Sequence, residues 1–185
     1  YGIWHPVGGC NAVMQRMADI AVEMGVELRL EEEVTSIGFD GKKAISVTTD
    51  KETSELDGLV VNADFAHVLP KLVPNDMRKK WNDRKIEKQE FSCSTFMLYL
   101  GIEGRLDHVP HHTIVLAEDF EGNIDEIQVK KVIPKDPSFY VQNASITDDT
   151  LAPEGHSTVY VLVTVPHRTD NIDWKKEAAE FREKT

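Results

Sequence analysis

Apolar residues near the start of the chain follow first a helical and then a strand period. Four of them, spaced by four, three and four residues, share one helix face and are expected to be buried there: Val13, Met17, Ile20 and Met24. Gly25 suits the left-handed position that ends a helix. The next three apolar residues alternate with charged ones, as in a half-buried strand: Val26, Leu28 and Leu30. The pattern predicts an amphipathic helix that begins after Gly9, capped by Cys10 or preferably Asn11, and a strand directly behind it.

A second group of strands is predicted around polar turns. Asp40-Gly41 supplies a hairpin turn, from which a return strand runs over Ala44–Thr49. The uninterrupted apolar run Gly58-Leu59-Val60-Val61 is typical of a strand buried on both faces. Asn62-Ala63-Asp64 ends this strand, and a short helix is expected from Phe65 to Leu69.

The rest of the chain combines further strands with helical segments. Strands are predicted over Phe91–Gly101, Thr113–Ala117, Ser138–Ser145 and Ser157–Pro166. Helical segments are predicted over Pro70–Lys88, over Phe120–Val132 and from Asp173 onward. We therefore predict an α+β fold with a mixed, largely antiparallel sheet and flanking helices.

Composition narrows the function classes. The 185 residues carry a formal net charge of −11, which argues against nucleic acid and against a broadly basic membrane-binding face. No apolar run is long enough to span a bilayer. The cysteines Cys10 and Cys93 belong to no metal-binding spacing, so reduced thiols in a cytosolic setting are expected.

Motifs along nearly the whole chain resemble those of the FAD-dependent amine-oxidase-like flavoproteins, and most closely the bacterial-type phytoene desaturases. In family order they are Pro6-Val7-Gly8-Gly9, Met24-Gly25-Val26-Glu27-Leu28-Arg29-Leu30, Glu33-Val34-Thr35-Ser36-Ile37, Val60-Val61-Asn62-Ala63-Asp64, Ser92-Cys93-Ser94-Thr95-Phe96, His111-His112-Thr113-Ile114, Thr147-Asp148 with Leu151-Ala152-Pro153-Glu154-Gly155, and Val161-Leu162-Val163-Thr164-Val165-Pro166. The first two are common to many related flavoproteins, and the later ones are closer to the carotenoid desaturases.

The resemblance implies the central fragment of a two-domain, FAD-dependent oxidoreductase. Such an enzyme desaturates a long, phytoene-like isoprenoid by hydride transfer to the flavin. Residues 1–64 would be part of the FAD-binding domain, and residues 65–185 a substrate-binding domain truncated at its C-terminus. The chain begins at Tyr1 without Met and contains no GxGxxG, which the family carries near its N-terminus. FAD is therefore expected in the full-length parent. The isolated fragment is expected to bind FAD weakly or not at all and to be inactive.

The resemblance also implies cofactor contacts. Val34 would lend backbone groups to the adenine, and Asn62, Ala63 and Asp64 would pass near the ribose and diphosphate. Gly8 and Gly9 would form a loop beside the flavin and the substrate channel rather than a phosphate cradle. Residue type alone offers alternatives, namely a core valine at Val34 and an Asx turn that caps the next helix after Asn62-Ala63-Asp64.

A polyene requires an apolar channel lined by aromatic residues. Four strand residues are the leading candidates to line it: Phe96, Tyr99, Tyr140 and Tyr160. A wider set adds Phe91, Met97, Phe139 and Leu162, and ordinary sheet core is the expected role for at least half of all eight. No residue pattern assigns a general base, although Asp64, Asp148 and Asp149 are candidates.

Other chemistries find little support in the sequence. His108, His111 and His112 are close together, but adjacent residues on a strand point to opposite faces, so no metal site is predicted. No GxSxG elbow is present for a serine hydrolase.

Two alternatives remain open for the function. One is a non-catalytic binding or interaction module, and the other is a related flavoprotein that acts on another isoprenoid or on a retinol-like substrate. The expected partner is a long apolar isoprenoid, not nucleic acid, and the expected location is the cytoplasm, with peripheral association of the parent with the inner membrane left open. Because excision would expose apolar surface, we expect the fragment to self-associate.

Overall fold

The computed structural model of the protein describes residues 2, 4–167 and 172–184. The chain forms two compact units, one spanning Tyr1–Ala21 and Phe91–Thr185 and the other spanning Val22–Glu90. The helices and sheets confirm the α+β class. Instead of one mixed sheet, the described strands form two sheets in which every pair is antiparallel. None of the described helices combines the length and the apolar character needed to span a bilayer.

The first unit is built on a four-stranded sheet. Its strands are β4 (Ser94–Glu103), β5 (His112–Val115), β6 (Phe139–Asn143) and β7 (His156–Val165), which are the four predicted in this region with ends shifted by up to three residues. Their spatial order is β4-β7-β6-β5. The long β4–β7 pair brings together residues that are far apart in the chain. Phe96 lies opposite Val163, and Tyr99 lies opposite Tyr160.

One face of this sheet carries the core of the first unit. Val163 and Val165 are buried there against Phe181, which lies on helix α5 (Trp174–Lys184). Phe96 and Trp174 pack around the same cluster. Because strand side chains alternate between faces, the residues between these core positions point to the other side of the sheet.

Two more helices belong to the first unit wholly or in part. The predicted helix over Phe120–Val132 is a short α-helix, α4 (Phe120–Asp125), that continues as a wider π-type turn over Glu126–Lys130. Helix α1 spans Gly9–Glu23 and therefore begins at the second glycine of the loop. Gly25 follows it with a φ of +90°, the left-handed conformation predicted at this position.

The second unit contains a three-stranded sheet and short helices. Strands β1 (Val34–Asp40) and β2 (Lys43–Thr49) form the predicted hairpin, with Gly41 at a φ of +58°. A short third strand, β3 (Thr53–Glu55), pairs with β2. Helices α2 (Phe65–Leu72) and α3 (Asp83–Glu87) follow, with a single 3-10 turn between them.

Two predicted strands are absent from the described structure. Residues 26–30 and 58–61 pair with no strand in the described part of the chain. The run expected to be buried on both faces is instead exposed, with Val60 at 90%. Alternation and apolar runs indicate that a segment can enter a sheet, but a strand also needs a neighbour that accepts its backbone hydrogen bonds.

The prediction that the apolar face of α1 is buried is wrong. None of the described residues of this helix is buried, and Met17 is 61% exposed. The remaining predicted face residues Val13, Ile20 and Met24 are also exposed. A helical period determines which side chains share a face, whereas burial requires a second element packed on that face.

Candidate functional site

Three of the motifs quoted for the resemblance converge in the first unit. They are the loop before α1, the segment at the start of β5, and the turn that follows β6. We call the meeting point the motif junction and define it by His5, Gly8, His111, Thr147 and Asp148. The junction joins residues up to 143 positions apart in the chain.

Asp148 is the central residue of the motif junction. Its side chain is buried, with 6% of the residue exposed. One carboxylate oxygen accepts the N–H of Gly8 at 2.7 Å and contacts Nε2 of His5 at 3.1 Å. The other oxygen accepts the backbone N–H and the hydroxyl of Thr150 at 3.0 and 2.6 Å. A single carboxylate therefore connects the glycine loop to its own turn.

These hydrogen bonds determine the ionisation of Asp148. The hydroxyl of Thr150 and the N–H groups of Gly8 and Thr150, together with His5, hold the pKa of Asp148 well below its usual range, although burial acts in the opposite direction. The carboxylate is thus ionised at neutral pH and has a weak affinity for protons. This argues against Asp148 as a general base and favours a role as a fixed acceptor.

The histidines of the junction lie side by side. The ring centroids of His111 and His112 are 4.3 Å apart and those of His5 and His111 are 5.3 Å apart. The expectation that His111 and His112 point to opposite faces is wrong, because β5 begins only at His112 and the alternation of a strand does not extend to His111. Among the described residues, no group of three or more His, Cys, Asp or Glu side chains is arranged to hold a metal ion.

His111 is held in its neutral form. Its Nε2 lies 3.2 Å from the side-chain amide nitrogen of Gln142, and its Nδ1 lies 2.7 Å from Thr147 Oγ1. With the Gln142 amide nitrogen as donor, Nε2 accepts and Nδ1 donates to Thr147. Burial lowers the pKa of His111, and the nearby rings of His112 and His5 lower it further. The junction thus combines an ionised carboxylate with a neutral imidazole.

Beside the junction, the sheet face opposite the core forms two rows of side chains. The strand register places one residue of each strand in each row. The first row is Tyr99, Tyr160, Gln142 and His112, and the second is Met97, Leu162, Tyr140 and Ile114. We call these eight residues the open face. It contains no Asp, Glu, Lys or Arg, and its edges are exposed, with Tyr99 at 76% and Ile114 at 70%.

Three of the four predicted channel residues meet on the open face. The ring of Tyr160 lies 6.1 Å from that of Tyr99 and 5.6 Å from that of Tyr140. Burial and the neighbouring phenol of Tyr160 raise the pKa of Tyr140 to about 12, so Tyr140 stays protonated. Its hydroxyl shares a 2.5 Å hydrogen bond with Nδ1 of His112. The open face is therefore aromatic and neutral at its centre.

Phe96 does not join the other three channel candidates. It lies on the core face, with its ring 5.1 Å from Phe181 and 6.0 Å from Trp174. For Phe96 the structure supports the alternative of ordinary sheet core.

The cofactor candidates of the second unit are exposed. Val34 is the first residue of β1, which is an edge strand of its sheet, and is exposed itself. Asn62, Ala63 and Asp64 are exposed and lie between the apolar run and α2. The carboxylate of Asp64 accepts the N–H of His67 at 2.9 Å and caps α2, as the Asx-turn alternative predicts.

The residues of the motif junction share no local signal along the sequence. No sequence pattern marks His5, and the sequence offers Asp148 only as a possible base together with Asp149, which is exposed and contacts Arg105. The available signal was the presence of all three motifs in one resemblance. No spacing along the chain indicates that Gly8 and Asp148, 140 positions apart, share a hydrogen bond.

Comparison with known proteins gives a consistent family. A family model described as flavin containing amine oxidoreductase matches residues 1–182. The chain is 43% identical to a 4,4'-diapophytoene desaturase (4,4'-diapolycopene-forming) of Methylomonas sp, over 99% of this chain and 36% of that protein. It is 39% identical to a zeta-carotene-forming phytoene desaturase of Myxococcus xanthus, over 99% of this chain and 35% of that protein.

Solved structures share the fold. An oxidoreductase from Methanosarcina mazei is 15% identical and aligns over 97% of this chain and 37% of its own, with a TM-score of 0.66. The chain thus spans about a third of the length of the curated relatives and solved structures that it matches. From the match over residues 1–182, the chain belongs to the flavin containing amine oxidoreductase family.

Proposed function

We propose that this chain is the central part of a FAD-dependent oxidoreductase that desaturates a long, phytoene-like isoprenoid. The observation that carries the proposal is the aromatic, neutral open face of the first unit in a chain of this family. A polyene has no polar groups along its length, so a wall of tyrosine rings, Met97 and Leu162 matches its chemistry. The names of the relatives, which are carotenoid desaturases, support the same substrate class.

The exposed residues of the second unit fit part of a FAD site. On an edge strand, backbone groups on one side lack a strand partner, so Val34 would lend N–H and C=O groups to the adenine. Asn62 and Ala63 would lie along the ribose and diphosphate, while Asp64 is already engaged as the cap of α2. We accordingly propose residues 1–64 as part of the FAD-binding domain and residues 65–185 as substrate-binding domain.

The residues of this chain would bind and orient the substrate. Tyr99 and Tyr160 offer ring faces to a conjugated chain, while Met97 and Leu162 exclude water beside them. Bound flavin would supply the hydride acceptor. Tyr140, which is protonated and hydrogen-bonded to His112, would keep the centre of the open face uncharged.

The exposed apolar residues of α1 support two proposals about partners. In the isolated chain, Met14, Met17 and Val22 are more than half exposed, which favours self-association. In the full-length protein, we propose peripheral contact with the inner membrane, where an apolar substrate dissolves.

The experiment uses the full-length protein and the isolated chain in parallel. The full-length protein should purify with flavin and convert liposome-bound phytoene into products with more conjugated double bonds, which absorb at longer wavelengths. The isolated chain should hold FAD weakly or not at all. A full-length protein without flavin, or one that leaves phytoene unchanged but oxidises a retinol-like compound, would contradict the proposal.

Matched variants would test the open face itself. Tyr160→Ala removes a ring that contacts both neighbouring tyrosines and should weaken binding of the polyene. Phe120→Ala makes a comparable truncation at an exposed residue outside the face and should leave binding unchanged. Equal effects of the two changes would argue against the open face as the substrate wall.

A further inference from the structure

We propose that Asp148 is a positioning residue that fixes the Gly8–Gly9 turn and places a negative charge directly before α1. The turn would then face a neutral part of a ligand and would not bind phosphate. Only the identification of this ligand as the flavin or the polyene rests on the proposed function.

The left-handed conformation of the Gly8–Gly9 turn needs interactions that stabilise it. Gly8 and Gly9 have φ values of +84° and +74°, a left-handed pair that is readily accessible to glycine but costly in backbone freedom. The N–H of Gly9 donates to Pro6 O at 2.9 Å, and the N–H of Gly8 donates to Asp148 at 2.7 Å. None of the described residues of α1 is buried, so burial along the helix contributes little to holding its start in place.

Asp148 is itself held from its other side. Two donors from Thr150 fix its second oxygen, so the carboxylate cannot rotate away from Gly8 without losing them. Packing supports the same arrangement, because a Cβ added at Gly9 would lie 3.3 Å from Leu151, one residue beyond Thr150. The turn before α1 and the turn after β6 are therefore held together by these contacts.

The charge of Asp148 decides which ligands the turn accepts. The free N–H groups at the start of a helix carry a partial positive charge and attract anions. Gly8 directly precedes α1 and its N–H already donates to an ionised side chain. A phosphate at this N–H would have to displace Asp148, and one at the neighbouring N–H groups of the helix would meet a like charge at close range. A neutral ring or hydrocarbon meets no such repulsion.

The first test uses the isolated chain and needs no flavin. Asp148→Asn keeps the shape of the side chain but leaves one oxygen for two sets of donors, so the amide resonance of Gly8 or of Thr150 should move strongly. Asp107→Asn removes the same charge from an exposed residue outside the junction and should move neither. An unchanged Gly8 and Thr150 in Asp148→Asn would overturn the proposal.

The second test adds inorganic phosphate. The Gly8 amide of the natural chain should not respond to millimolar phosphate, whereas in Asp148→Ala the freed N–H should titrate with it. A natural chain whose Gly8 amide responds to phosphate would overturn the proposal. That titration and the Asp148→Asn spectrum still decide the question if Asp148→Ala does not fold.

The third test concerns the role of the turn in the full-length protein. Asp148→Asn should alter the visible spectrum of the bound flavin and lower kcat by on the order of 10²-fold with little change in KM, because misplacing a group near the reaction acts on the chemical step. Asp107→Asn, the same change at an exposed residue outside the motif junction, should do neither. A full-length protein that binds no flavin would refute the proposed function, while the amide and phosphate results would still stand. Normal flavin spectra and turnover in Asp148→Asn would refute the positioning role alone.

Discussion

Alanine substitutions at Phe96 and Tyr99 would distinguish the core face of the four-stranded sheet from its open face. Both are aromatic residues of β4, three positions apart, and both were expected to line a channel. Phe96 packs against Phe181 and Trp174 on the core face, whereas Tyr99 is 76% exposed on the open face. Phe96→Ala should therefore destabilise the first unit, and Tyr99→Ala should affect its stability little.

The magnitude follows from burial. A fully buried Phe→Ala change costs about 3–5 kcal/mol, and an aromatic pair contributes about 0.5–1.5 kcal/mol beyond its buried area. Phe96 is half-buried but loses two ring contacts, so we expect about 2–3 kcal/mol, equivalent to roughly a 30- to 150-fold change in the unfolding equilibrium. For Tyr99→Ala we expect less than about 1 kcal/mol.

Urea unfolding would measure both changes. Because the two compact units need not unfold together, the methyl resonances of Val163 at the centre of the core face are the appropriate probe. With a slope of about 2 kcal/mol per molar urea, Phe96→Ala should lower the midpoint by about 1 to 1.5 M. Equal midpoints for the two variants, or a larger loss in Tyr99→Ala, would show that the assignment of the two sheet faces is wrong.

Three further predictions concern other parts of the chain. Met17→Ala should cost less than about 1 kcal/mol in the isolated chain, because the side chain is largely exposed; a loss of 2 kcal/mol or more in urea unfolding would mean that its face is covered in solution. Asp64→Ala should destabilise the second unit by about 1 kcal/mol through loss of the bond to the His67 N–H, and Asp57→Ala on the preceding loop is the control. The pKa of Asp148 is lower in the folded chain than in the unfolded one, so its stabilisation is present above the ordinary aspartate pKa and is lost as pH falls below that range; a Gly8 amide that titrates with an ordinary carboxylate midpoint would contradict this.

Local patterns determined much of the secondary structure. The Asp40-Gly41 turn, the left-handed Gly25 and the cap at Asp64 depend on backbone preferences of a few neighbouring residues, and all three occur as expected. The strands of the first unit were also predictable, because alternation and β-branched residues are properties of a single segment. Alternation alone implies that Phe96 and Tyr99 lie on opposite faces.

Which face is covered was decided only by the tertiary structure. The core face is the one on which Phe181 of α5 packs, and nothing within β4 identifies it. The same limit explains the exposed α1 face and the unpaired apolar runs over residues 26–30 and 58–61, because burial and strand pairing depend on a second element. The periodicity of a segment shows which of its side chains share a face, but it does not identify the element that packs on that face.

The motif junction shows this limit at the candidate site. The glycine loop, the histidine pair and the Thr147-Asp148 turn were each visible in the sequence as parts of one family resemblance. Their contact depends on how the strand order β4-β7-β6-β5 returns distant segments to one place. The sequence determined that Gly8 can adopt a left-handed conformation and that Asp148 can carry a charge. The fold determines that this charge contacts the Gly8 N–H, because only the folded chain brings the donor within 2.7 Å of an acceptor 140 positions away.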